Sequence, residues 1–271
     1  MGNKNKEKTE KLENRKASNH NFKRNMKKIL SVALAVLVIS GVTACRNQSE
    51  GDKNDTNITN TVKDSVIIAI GSEPETLDPT KGWGHGNSPI IQSTLVKYNA
   101  ELNFENDLAT GYELSEDGLT WTFTIRDDAF FTDGEKVTAE DVAFTLETAK
   151  AANGSFDLTY MESAVAQDDT TVVITLSKPT SIFLNTLASV GIVPEHAYGD
   201  DYGTKPIGSG PYKLVEWRPQ EQLMFTANEN YYGGVPEIKN VTVVFMSEDA
   251  ALAAVQAGQV DVAYTVATLA T

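Results

Sequence analysis

The sequence predicts an α/β fold, and three observations carry that prediction. Residues 119–125 alternate apolar side chains with threonine, which is the period-two pattern of a half-buried strand. A helix is predicted to follow Thr138, because Asp141 can complete a capping box and apolar residues then recur at helical spacing. A third segment, 241–245, is β-branched and leads directly into an alanine-rich helix that begins after Ser247. Strands alternating with helices are typical of α/β proteins.

The other predicted elements fit the same class. Further strands are predicted over 66–70, 171–176, 212–217, 222–226 and 259–263. Helices are predicted over 88–96 and 182–188. Trp121 is predicted to be a core residue, because it shares the apolar face of its strand, whereas Phe144 lies off the apolar stripe of its helix and has no predicted role.

Charge is distributed unevenly along the 271 residues. The first 44 residues hold 10 Lys and Arg against 3 Asp and Glu, which leaves 13 basic and 34 acidic residues for the rest of the chain. An acidic body of this kind is repelled by phosphate backbones, so nucleic acid is excluded as a partner.

The basic start has the pattern of a signal peptide over residues 1–45. Lys27 and Lys28 precede an apolar run over 29–39, which is shorter than a membrane-spanning helix requires, and small residues follow it. A start at Met26 would give a compact leader, so Met26 is the predicted true start. Residues 42–45 resemble the bacterial lipobox, which implies lipidation of Cys45 and an extracytoplasmic protein anchored to a bacterial membrane.

Cys45 is the only cysteine in the chain, so the fold has no internal disulfide. The alternative interpretation of a lone cysteine is a small buried apolar residue. Residues 46–64 are almost wholly polar and predict a flexible tether.

Patterns for catalysis are weak. Gly208-Ser209-Gly210 is not a nucleophile elbow, because that motif needs glycine where Ile207 stands. Outside the leader only His85 and His196 could act as imidazole ligands, and neither has a partner at metal-binding spacing. The sequence therefore predicts no enzyme activity and no cofactor.

Several motifs of the chain match a known pattern in order. The longest are 112–126, 131–134 and 138–142, which follow one another without gaps in the match. Further matching pieces, in order, are 75–79, 191–194, 206–212, 230–234 and 257–261. Together these motifs resemble the family 5 extracellular solute-binding proteins.

The resemblance implies the periplasmic-binding-protein-like II fold, a bilobed clamp whose first lobe carries an inserted subdomain. On this chain the first lobe would comprise 65–90 and 203–258, with the inserted subdomain at 91–202. Residues 259–271 would form a hinge strand and the start of a second lobe that is missing here. Because a clamp binds by closing around its ligand, we expect the chain alone to bind the family ligand very weakly or not at all.

The resemblance also implies a function: a lipid-anchored, monomeric substrate-binding protein that delivers peptides or nickel-chelate complexes to the permease subunits of an ABC importer. A ligand-sensing surface receptor of the same fold, without transport, is one alternative, and a secreted hydrolase is another.

Candidate ligand-binding residues lie in and near the glycine-rich loop 82–86, which is similar to that of members linked to nickel or chelate uptake. Trp83 could stack on a planar ligand, and His85 is a weak candidate for a metal ligand. Gln92 and Tyr160 are further candidates for lining the cleft. The alternative is a surface loop with a partly buried tryptophan. Family members that bind nickel chelates often have arginines near 156–160 and 191–194, and this chain has none there.

Overall fold

The structure, a computed structural model, describes residues 63–84 and 89–265 and contains three β-sheets in that part of the chain. The strands are β1 (Ser65–Ile70), β2 (Val96–Tyr98), β3 (Phe104–Asn106), β4 (Ala109–Leu114), β5 (Thr120–Ile125), β6 (Met161–Asp168), β7 (Thr171–Leu176), β8 (Tyr212–Arg218), β9 (Gln222–Ala227), β10 (Asn240–Phe245) and β11 (Val262–Ala263). The α-helices are α1 (Ala139–Ala152), α2 (Phe183–Leu187) and α3 (Glu248–Gln256), and short 3-10 helices occupy Pro79–Lys81 and Glu195–Ala197. None of the helices described is long and apolar enough to cross a membrane.

Most of the predicted elements are confirmed. The strands predicted over 66–70, 171–176, 212–217, 222–226 and 241–245 match β1, β7, β8, β9 and β10 to within one residue at either end. The helix predicted over 182–188 is α2. The strand predicted over 259–263 is shorter than expected, because only its last two residues pair with β1.

The five-stranded sheet has the order β11-β1-β10-β9-β8. β1 runs parallel to both of its neighbours, with Ser65 opposite Asn240, whereas β10, β9 and β8 are antiparallel. Asp261 fixes the short β11 beside β1, since its backbone N–H donates to the Ile67 carbonyl at 2.9 Å and its Oδ2 accepts the Ile67 N–H at 2.8 Å.

The four-stranded sheet is antiparallel throughout, in the order β4-β5-β7-β6. Trp121 and Phe123 of β5 are buried on one face, as their strand parity predicts. The capping box of α1 is also confirmed: Oδ2 of Asp141 accepts the Thr138 N–H at 2.9 Å.

Phe144 projects from α1 toward a tyrosine far away in the sequence. Its ring meets the ring of Tyr198 edge to face, with the centroids 5.4 Å apart. The position that sequence periodicity leaves unexplained therefore serves a tertiary contact.

The helix predicted over 88–96 is wrong. Described residues 89–95 contain no helix, and β2 begins at Val96. Their carbonyls bond to distant segments instead: Ile91 O accepts the Gly210 N–H at 2.8 Å, and Leu95 O accepts the Ala109 N–H at 3.0 Å. These carbonyls therefore accept long-range hydrogen bonds instead of the local hydrogen bonds that a helix would form.

A polar cluster joins the four-stranded sheet to the loop that follows β9. The Tyr232 hydroxyl donates to Oδ1 of Asp107 at 2.8 Å, and the Arg126 guanidinium lies 3.8 Å above the Tyr232 ring. Burial, followed by the Asp107 charge, raises the pKa of Tyr232 well above its usual value, so its hydroxyl keeps the proton.

Candidate functional site

The loop after β1 is held by one buried carboxylate. Asp78 is fully buried, and its Oδ1 accepts the Thr80 N–H at 2.9 Å and the Thr80 hydroxyl at 2.8 Å. It thereby caps the 3-10 helix Pro79–Lys81, in which proline is favourable because its missing N–H is not needed in a first turn. Gly82 ends this helix with a φ of +113°, a conformation that favours glycine.

The other carboxylate oxygen of Asp78 connects the loop to a distant part of the chain. The Tyr198 hydroxyl lies 2.9 Å from Oδ2 of Asp78 and 2.8 Å from the Thr80 hydroxyl. Lys81 forms an ion pair with the same Oδ2 at 3.2 Å, and this contact raises the pKa of Lys81. Burial is the main reason why the pKa of Tyr198 is raised.

Trp83 follows this network and lines an open groove of about 490 Å³. Its backbone N–H donates to the Asp78 carbonyl at 3.1 Å, and its ring packs against the cluster that contains Leu77 and Ile91. The indole Nε1 is buried and has no hydrogen-bond partner in the part of the chain that the structure describes. Buried donors of this kind normally have a partner, so this N–H is an unsatisfied polar group among the described residues.

The glycines beside Trp83 pack against other segments. A Cβ on Gly82 would approach Ser155 Oγ to 2.7 Å, and one on Gly84 would approach Pro89 Cβ to 3.1 Å. The groove wall is therefore close-packed, and Trp83 is held in place by the backbone on both sides.

The structure does not place the remaining candidate residues together with Trp83 in its groove. Gln92 is 1% exposed, and its amide donates to the Leu77 carbonyl at 3.3 Å and to the Tyr202 hydroxyl at 3.1 Å, while its Oε1 has no partner among the described residues. Tyr160 is half-buried beneath Lys178, whose ammonium lies 3.7 Å from the ring centroid, and it does not line the Trp83 groove described above. His85 and Cys45 lie outside the described residues.

A second, larger groove of about 820 Å³ adjoins the first along Pro74 and Glu75, which line both. Its wall includes Trp217 of β8, whose indole N–H donates to Glu73 Oε1 at 2.6 Å. The other oxygen of Glu73 accepts the Gln220 backbone N–H at 3.0 Å. Sequence reasoning identified β8 but not this groove, because the groove depends on segments more than a hundred residues apart.

The described residues contain no group of three or more His, Cys, Asp and Glu side chains that could hold a metal ion. His196, the second histidine outside the leader, lies with its Nε2 2.8 Å from Asp133 Oδ2 at the surface.

Comparisons with known proteins place the chain in one protein family. Residues 103–270 match the model of the bacterial extracellular solute-binding proteins, family 5 Middle. Protein XP55 of Streptomyces lividans is 36% identical over 234 residues, which cover 82% of this chain and 42% of that protein.

Two solved structures have the same fold over about three quarters of the chain. NikZ from Campylobacter jejuni, in complex with Ni(L-His), superposes with a TM-score of 0.69 at 30% identity and covers 73% of this chain and 42% of that one. AppA from Bacillus subtilis, an oligopeptide-binding protein in complex with a nonapeptide, superposes with a TM-score of 0.65 at 27% identity. The match covers 72% of this chain and 43% of AppA. The chain thus spans less than half the length of these proteins.

Proposed function

Because the chain belongs to the family 5 bacterial extracellular solute-binding proteins, we propose that it captures a solute for an ABC importer and performs no chemistry of its own. Its α/β fold is the type II periplasmic-binding-protein fold of that family. The solute would be a peptide or a metal-chelate complex, the two ligand types found in AppA and NikZ.

The observation that carries this proposal is the position of Trp83. Its ring lines an open groove, its backbone is fixed by Asp78, and its indole N–H has no partner within the described chain. The Trp83 ring could cover an apolar part of a peptide or a chelate in this groove.

The proposed domain arrangement is one lobe with an inserted subdomain. The lobe would comprise 65–90 and 203–258, and the insert 91–202. In support, the five-stranded sheet takes β1 from the first segment and β8, β9 and β10 from the second, whereas the four-stranded sheet lies wholly within the insert. Residues 259–271 would lead through β11 into a hinge.

The proposed location is outside the cytoplasm, where the family acts, with lipid on Cys45 as the anchor. The permease subunits of the importer would be the protein partners, and the protein would act as a monomer. The polar segment 46–64 supports this arrangement, since a flexible tether would keep the domain clear of the membrane surface.

The test is a calorimetric titration of the chain with two probes, nickel-histidine and a mixture of synthetic oligopeptides, both at millimolar concentration. We expect at most weak binding of one probe, and the Trp83→Ala variant should weaken that binding about tenfold through loss of the ring contact. Trp83→Phe, which keeps a smaller ring, should give an intermediate loss. The control is Trp121→Phe, since Trp121 belongs to the core of the four-stranded sheet. Binding that is unaffected by both Trp83 variants would refute the proposed site.

His85 decides between the two ligand classes in the same experiment. If the solute is a nickel chelate bound through imidazole, His85→Ala should abolish nickel-histidine binding and leave the peptides unaffected. If the solute is a peptide, His85→Ala should change the affinity about twofold or less, because no metal bond is lost.

A further inference from the structure

The end of helix α1 forms part of the wall of the Trp83 groove. Asn153 ends the helix in the left-handed conformation, with a φ of +48° and a ψ of +42°. Gly154 then lies against the 3-10 helix that precedes Trp83, since a Cβ built on it would be 3.7 Å from the carbonyl oxygen of Lys81. Ser155, the next residue, lines the groove itself. A change in the backbone at Asn153 therefore acts directly on a wall of the groove.

Asn153 and Gly154 form the only Asn-Gly pair in the sequence. The backbone nitrogen of the following residue can attack an asparagine side chain, and glycine permits this attack most readily because it has no Cβ in the way. Both residues are exposed, and neither the Asn153 side chain nor the Gly154 N–H makes a hydrogen bond among the described residues. The two reacting groups are therefore both unengaged in the folded chain.

The reaction that this pair undergoes is a deamidation. The Gly154 nitrogen forms a bond to Cγ of Asn153, the bond from Cγ to Nδ2 breaks, and ammonia leaves with the proton that the Gly154 nitrogen gives up. Water then opens the resulting succinimide ring at either of its carbonyls. One product is an aspartate, and the other is an isoaspartate, in which the chain continues through the former side chain. Water is the one co-reactant, and the reaction needs no oxidant or reductant.

The cap of α1 opposes ring closure. With a ψ of +42°, the Gly154 nitrogen lies on the side of the Asn153 backbone away from Cβ, whereas a five-membered ring requires the two on the same side. Asn153 must therefore rotate about its Cα–C bond, which moves Gly154 off the 3-10 helix. Helix ends open locally at a much lower free energy than the whole fold, so the folded chain can react at a rate that this opening limits.

We propose that Asn153 is a site of deamidation and that opening of the last turn of α1 controls its rate. An aspartate at this position places a negative charge at the C-terminal end of a helix, where the helix dipole disfavours it. An isoaspartate adds a methylene to the backbone and displaces Ser155, whose Oγ already lies 2.7 Å from where a Cβ on Gly82 would be. The reaction involves no ligand, so the inference does not depend on the proposed function.

The test is to age the whole chain in warm, mildly alkaline buffer, digest it, and quantify the peptide that contains residue 153 by mass spectrometry. Chromatography separates the aspartate and isoaspartate forms. We expect both products in the folded chain, at a rate about tenfold or more below that of the urea-unfolded chain, because opening must precede reaction. Gly154→Ala should nearly abolish the reaction by shielding the nitrogen, and its methyl group would make only ordinary contacts at 3.7 Å.

A matched pair of variants tests the control by α1. Ala151→Gly weakens the exposed last turn of this helix and should speed the reaction about fivefold, the factor that corresponds to the difference in helix propensity. Ala253→Gly makes the same change at an exposed position of α3 and should leave the rate at Asn153 unchanged.

The effect on the groove wall has its own measurement. In the aged parent protein, hydrogen exchange at residues 79–83 should be faster than in Gly154→Ala protein aged alongside it, because only the parent acquires the longer backbone.

Three results would overturn the inference. An intact Asn153 in the folded chain, under conditions in which the unfolded chain reacts, would mean that the fold seals the site. Equal rates in the folded and unfolded chains would mean that the cap exerts no control. Equal acceleration by Ala151→Gly and Ala253→Gly would assign the reaction to unfolding of the whole chain rather than to the end of α1.

Discussion

The Tyr198 hydroxyl donates a hydrogen bond of 2.9 Å to the fully buried carboxylate of Asp78, although 120 residues separate the two in the sequence. The same carboxylate caps the 3-10 helix that precedes Trp83. The position of the groove wall thus depends on a contact between the loop after β1 and the segment after α2.

The first prediction concerns this contact. Tyr198→Phe removes the hydroxyl but keeps the ring that packs on Phe144, and leaves part of a buried carboxylate unpaired. We expect the free energy of unfolding to fall by about 2 kcal/mol, the usual size for a hydrogen bond to a charged group. Urea denaturation of the variant and the parent measures this difference in the free energy of unfolding. Tyr160→Phe is the control, since the Tyr160 hydroxyl makes no hydrogen bond within the described chain, and equal losses in the two variants would contradict the prediction.

The second prediction concerns a close backbone crossing. A Cβ on Gly208 would lie 2.1 Å from the carbonyl oxygen of Ile91, which is backbone and cannot move aside. Gly208→Ala should therefore destabilise the fold by about 3 kcal/mol or prevent soluble expression. Gly71→Ala, where the added methyl meets nothing within 4 Å, should be neutral or slightly stabilising. Thermal unfolding compares the two, and a Gly208→Ala protein as stable as Gly71→Ala would show that the crossing is looser than described.

The third prediction concerns pH. The Lys63 ammonium, together with the Ile67 N–H, lowers the pKa of Asp261 below its usual value. A carboxyl group whose pKa is lowered by folding stabilises the native state above its unfolded pKa, near 3.9, and loses that contribution as the pH falls through the folded value. Asp261→Asn should therefore be less stable than the parent at pH 7, and the difference should narrow as the pH falls below the unfolded pKa of about 3.9.

Urea titrations between pH 3 and pH 7 follow this difference. Asp127→Asn is the control, because Asp127 is exposed and makes no hydrogen bond or ion pair among the described residues. A stability difference for Asp261→Asn that is constant over the whole range would mean that the carboxylate charge plays no part.

The fourth prediction concerns the membrane anchor. If Cys45 carries lipid, radiolabelled palmitate should enter the parent protein expressed in a bacterial host, and Cys45→Ala should abolish the label and release the protein from the membrane fraction. The chain has no other cysteine to take the label instead. Label in the Cys45→Ala protein, or a parent protein found wholly in the soluble fraction, would refute the anchor.

The sequence was sufficient where local patterns decide the structure. The alternation over 119–125 predicted which side chains of β5 are buried, and Thr138 with Asp141 predicted the start of α1. Both signals lie within a few residues of the element that they predict, and tertiary contacts reinforce them.

Sequence patterns were insufficient where long-range hydrogen bonds determine the local structure. The pattern over 88–96 predicts a helix, yet the carbonyls of described residues 91 and 95 accept hydrogen bonds from Gly210 and Ala109. Gln92 was a candidate for the cleft, but the structure buries it against Tyr202. Neither the bond from Tyr198 to Asp78 nor the groove beside Trp217 has a local signature, because each is made by segments that only the folded chain brings together.

The parallel pairing of β1 with β10 has a consequence for the order of folding. Ser65 pairs with Asn240, so the five-stranded sheet cannot be complete until residues 240–263 have been synthesised, whereas β4 to β7 can pair as soon as residue 176 is available. The first strand of the chain therefore stays unpaired through most of the synthesis of the sheet to which it belongs.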